Sequence, residues 1–95
     1  MKVREQERIQ THFLSAARIP ASQAEVTIVD VSETGCRIIT DCKSAKIGTT
    51  IILALPNDQY ASGQIVWIHL EECGVHFHKP VSLDSIDSIA AHLGN

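Results

Sequence analysis

The apolar residues of this chain fall in short β-rich runs closed by turn formers, with a helical repeat confined to the C-terminal tail. The runs are 11–19 (THFLSAARI, ended by Pro20), 25–29 (EVTIV), 36–40 (CRIIT), 49–55 (TTIILAL, broken by Pro56-Asn57-Asp58), 61–70 (ASGQIVWIHL, with a turn opening at Glu71-Glu72) and 74–78 (GVHFH, stopped by Pro80). Residues 21–24 read as a polar connector. Residues 30–35 read as a turn, in which Asp30 and Ser32 bond nearby backbone and Gly35 supplies a positive φ. Residues 41–48 are polar, with Gly48 as a turn residue. In the tail, Leu83, Ile86, Ile89, Ala90 and Leu93 recur at helical spacing, so 81–93 predicts one amphipathic helix, capped by Ser82 or Asp84 and followed by Gly94.

Evenly spaced short strands in a chain of 95 residues favour one small antiparallel β-barrel. Closure removes exposed strand edges, and the helix can cover an open end. So small a domain has little room for a deep cleft. No apolar run is long enough to span a membrane. Glu5, Glu7 and Arg8 interrupt the N-terminal stretch where a signal sequence would need an apolar core, so no membrane insertion and a cytoplasmic location are expected. Cys36, Cys42 and Cys73 form no CxxC pair and read as reduced thiols.

Chemistry concentrates in two places. Arg4-Glu5-Gln6-Glu7-Arg8 sets two arginines four residues apart before the first strand. Asp30-Val31-Ser32-Glu33-Thr34-Gly35 lies at a strand end. Arginine offers a planar fork of donors suited to phosphate oxygens or to the O6/N7 edge of guanine. A carboxylate accepts from guanine N1–H and N2–H₂, or holds an arginine in place. Ser32 adds a hydroxyl, and Gly35 permits close backbone approach. Each motif alone also has a plainer reading, as a solvated charged segment or as a simple turn.

Taken in order, RxxxR (Arg4, Arg8) and DxSxxG (Asp30, Ser32, Gly35) resemble the PilZ domain, a receptor module for the bacterial second messenger cyclic di-GMP. The segments GCRI, IGTTIILAL, GQIVW and GVHF, and the closing SLDSIDSIAAHL, extend the likeness over nearly the whole chain. The resemblance implies a mainly β fold: a six-stranded antiparallel split barrel (11–80), a flexible N-terminal arm (1–10) and a C-terminal helix (81–95). It implies that Arg4 and Arg8 are arm ligands, and that Asp30, Ser32 and Gly35 contact guanine from the barrel. Ordering of the arm would then relay the signal to a downstream protein. Glu5 and Glu7 inside the arm oppose the attraction of an anion. They motivate an alternative, a barrel of the same fold that acts as a protein-interaction module without nucleotide.

Other residues carry less. Trp67 is expected in the core or at the barrel rim, with a guanine contact as its lesser role. Arg37, near Lys43 and Lys46, could assist a phosphate. His76 and His78 share a strand face near His69 and Cys73 but lack a convergent ligand set, so no metal is expected; the pair should face solvent beside buried Val75 and Phe77. Cys36 and Cys73 read as small buried hydrophobes. With 8 basic against 11 acidic residues and four aromatics in all, a nucleic-acid polymer is not an expected partner. No nucleophile–base pair or phosphate-binding glycine loop is visible, so neither enzyme activity nor a cofactor is expected.

Overall fold

The computed structural model describes residues 8–19 and 22–91. Six strands, β1 (Ile9–Ile19), β2 (Ser22–Val31), β3 (Gly35–Ile39), β4 (Thr50–Leu55), β5 (Gln59–His69) and β6 (Glu72–Phe77), are followed by one helix, α1 (Leu83–Ala90). The strands close into an antiparallel barrel in the order β1-β2-β3-β6-β5-β4. Residues 1–7, which include Arg4 and most of the expected arm, lie outside the described residues.

The barrel forms because β-branched and leucine side chains alternate with polar or small ones at the strand period. In β4, Ile51, Leu53 and Leu55 point inward. Val26, Ile28, Ile38 and Ile65 meet them from the other strands at 0–1% exposure. Cys36 and Cys73 are buried in the same core, whereas Cys42 is half-buried. From α1, Ile86 and Ile89 join this core. The helix is tied down by Thr11, whose hydroxyl donates to the Ile89 carbonyl at 2.6 Å, and by Ser85, which donates to Gln59 Oε1 at 2.6 Å. Ser82 caps it by accepting from the Ser85 N–H at 3.1 Å.

The seams of the barrel are unequal. β1 and β2 pair from Ile9↔Val31 to Ile19↔Ser22, while β1 meets β4 only at Ala17↔Leu53 and Arg18↔Ile52. Three pairings contain a register shift: between Gln10 and Phe13 in β1, between Ile28 and Asp30 in β2, and between Ile65 and Trp67 in β5.

Several sequence expectations need correction. β2 begins at Ser22, so most of the expected connector is strand, and it runs on through Asp30 to Val31. The turn is therefore confined to Ser32, Glu33 and Thr34. Gly35 is not in the left-handed region; Gly48 is, at φ 90°. Gly35 is required for a different reason: a β-carbon there would strike the Val75 carbonyl oxygen across the β3–β6 pairing. Helix α1 is shorter than 81–93, and Leu83, on the expected apolar stripe, is 63% exposed. Leu93 lies outside the described residues.

Candidate functional site

Four successive cross-strand pairs lay one row of residues across the outside of the barrel: Gln10↔Asp30, Asp30↔Arg37, Arg37↔Gly74 and Gly74↔Trp67. The three register shifts adjoin this row. A bulge turns the following side chain to the opposite face. Ile28 is a core residue; strict alternation would send Asp30 inward too, and the extra residue Val29 turns it outward to meet Arg37. In β5 the extra residue Val66 does the same for Trp67, two positions after buried Ile65. Trp67 is thus outside the core, 40% exposed, with its indole lying over Gly74.

Asp30 organises the charges. Its Oδ1 accepts a 2.7 Å hydrogen bond from Arg8 Nη1, joining residues 22 apart in the chain. Its Oδ2 lies 3.2 Å from Arg37 Nε, an ion pair between direct cross-strand neighbours. Arg37 Nη1 donates in turn to Glu72 Oε1 at 3.5 Å. The Asp30 side chain is 12% exposed against 53% for Arg8, 37% for Arg37 and 41% for Glu72. Asp30 is thus the buried anchor, and the arginines present their outer faces to solvent. Arg37 Nε is itself buried and, despite its distance to Asp30, has no well-aligned hydrogen-bond acceptor among the described residues. Such a row offers an anion two guanidinium forks with a flat aromatic surface beside them.

Ser32 occupies the turn beneath the row and is 1% exposed. Its N–H donates to the Gly35 carbonyl at 2.8 Å, its hydroxyl approaches the same oxygen at 3.3 Å, and the Thr34 N–H donates to that hydroxyl at 3.4 Å. The Ser32 side chain therefore holds the turn that follows Asp30.

Of the residues singled out from sequence, the structure brings together Arg8, Asp30, Arg37 and Trp67, with Gly35 and Ser32 at the adjacent turn. Glu72 was missed. It shares a strand face with Gly74, but its proximity to Arg37 depends on the β3–β6 register, which local sequence does not reveal. His76 and His78 face solvent, flanking buried Val75 and Phe77, and His78 Nδ1 lies 3.1 Å from Ser62 Oγ. Among the described residues there is no cluster of potential metal ligands, and no helix is long and apolar enough to cross a membrane. Burial pushes the Cys36 thiol far above its ordinary range, assisted by the negative charge of Asp30, and burial raises Cys73 as well.

A closed six-stranded barrel bearing an arginine–carboxylate row on its outer face defines the class: a small β-barrel domain with a charged surface row. The chain belongs to the PilZ domain family, whose model matches residues 2–95. That family is a binding and regulatory one, known as a receptor module for cyclic di-GMP. No curated protein matches the chain.

Proposed function

We propose that this domain is a cytoplasmic bacterial receptor for cyclic di-GMP, with no reaction of its own and no cofactor. The observation that carries the reading is the junction of the two motifs. Arg8 of RxxxR is hydrogen-bonded to Asp30 of DxSxxG, and Arg37 sits on the other carboxylate oxygen. In this reading Arg8 and Arg37 take phosphate oxygens or guanine edges, and Arg4 joins them from the arm. Asp30 aims both arginines and accepts from a guanine edge. Ser32 and Gly35 form the turn that brings backbone up to the base, and Trp67 gives it a flat surface to lie against. Occupancy draws the arm onto the barrel, and the altered surface is offered to a downstream protein. Calorimetry with cyclic di-GMP tests this. Saturable heat from the wild type, weakened in Arg8→Ala, is expected; no heat at about tens of micromolar ligand overturns it.

A second reading, an interaction module indifferent to nucleotide, draws on one observation: Asp30 and Glu72 match the charges of Arg8 and Arg37. It requires partner capture that neither cyclic di-GMP nor Arg8→Ala changes.

A further inference from the structure

The two carboxylates that flank Arg37 differ in a way that assigns them opposite effects. Asp30 is buried, shared between two arginines and a direct cross-strand neighbour of Arg37. Glu72 is 41% exposed, lies diagonally across the β3–β6 pairing and reaches Arg37 by one long contact of 3.5 Å. Arg37 is poorly served by both. Among the described residues its Nε is buried without an aligned acceptor, and its Nη1 reaches Glu72 by a long contact. A buried donor left without an acceptor is costly, so a better-placed anionic oxygen would be favoured at this guanidinium.

From this we infer that Glu72 is a built-in competitor that sets the affinity of the site by occupying the Arg37 fork until an anion displaces it. The inference rests on the receptor reading above and adds the residue that limits it. With Glu72 in place, Arg8, Asp30, Arg37 and Glu72 sum to zero charge. An incoming dinucleotide with two negative phosphates meets a neutral row and must exchange one carboxylate contact for one of its own. The exposed carboxylate is the one that can swing into water at little cost. The buried one cannot leave without stranding two guanidinium groups, so it remains as the positioning residue.

Opposite signs at the two acids follow. Glu72→Gln should tighten cyclic di-GMP about 2–5-fold, the scale of one exposed ion pair. Asp30→Asn should weaken it. The tightening must act through Arg37, so it should vanish in the Arg37→Ala background, which a general change in surface charge would not do. Thermal unfolding of each variant separates affinity from fold. Calorimetry on the full chain reads all five proteins: the wild type, Glu72→Gln, Asp30→Asn, Arg37→Ala and the Arg37→Ala, Glu72→Gln double variant. Tighter binding by Glu72→Gln that disappears without Arg37 supports the inference. Unchanged or weaker binding, or equal tightening in both backgrounds, overturns it. Should no variant take up the nucleotide, the receptor reading fails and a second probe decides the competitor role alone. In a pyrophosphate titration followed by the Arg37 Nε–H resonance, tighter binding by Glu72→Gln than by wild type supports it, and equal binding overturns it.

Discussion

The indole of Trp67 lies directly on Gly74, so closely that a β-carbon at residue 74 would collide with Nε1, Cε2 and Cδ1 of the ring. The glycine leaves the exposed face of β6 without a side chain, and the tryptophan covers that backbone. Arg37 pairs with the same glycine from the other side, so Gly74 stands between Arg37 and Trp67 in the cross-strand row.

Gly74→Ala should lift the ring off the barrel. The ring is partly exposed and can rotate away, so the fold survives with a stability loss of about 1 kcal/mol. Tryptophan emission should shift to the red, and the midpoint of urea unfolding should fall modestly.

Gly35→Ala should be more damaging. Here the added carbon meets the Val75 carbonyl, backbone in a central pairing that cannot step aside. A loss of about 2 kcal/mol or more is expected, read as a larger drop in the urea midpoint than Gly74→Ala produces.

Arg8→Ala should weaken cyclic di-GMP about 10-fold or more, the scale of a lost hydrogen bond between charged groups. Arg18, exposed toward the far end of β1 and paired across the β1–β4 seam, is the matched control. Arg18→Ala should bind as the wild type does, and isothermal titration of the two variants checks the contrast.

The buried thiols give the fold an alkaline limit. Burial raises Cys36 and Cys73 in the folded chain, whereas an unfolded cysteine ionises near about pH 8.5. Below that pH both states keep the proton and the stabilisation is complete. As pH rises through it, the unfolded chain releases protons that the folded chain retains, and stability falls. Unfolding free energies measured from pH 7 to 10 should decline, with a shallower decline in Cys36→Ala. In the native protein at neutral pH, half-buried Cys42 should react first with a thiol reagent.

Periodicity carried the count and order of the strands well, because each core strand alternates over several residues between clear breakers. Ile51, Leu53 and Leu55 show how plain that signal is. The site was legible only in part, for a reason that lies in the same periodicity. Asp30 and Trp67 both follow a bulge, and one inserted residue reverses the face on which every later side chain emerges. Nothing in the local composition marks Val29 or Val66 as the extra residue. A tryptophan two positions after a core isoleucine therefore reads as core or rim, and only the bulge decides that its ring lies on the outer surface. Glu72 was invisible for a related reason: its neighbour is chosen by the register between strands that are distant in sequence.

The short β1–β4 seam gives the hoop a clasp. Every other junction is a longer ladder, but here two residue pairs hold the first strand to the fourth. Amide protons there should be the readiest of the ladder to exchange. The strand that hangs from this clasp also leads back to Arg8 at its other end. Tension applied to the N-terminus thus meets the Arg8–Asp30 ion pair first and the long β1–β2 ladder next, and the short latch to β4 shares the load only at the far end of the strand.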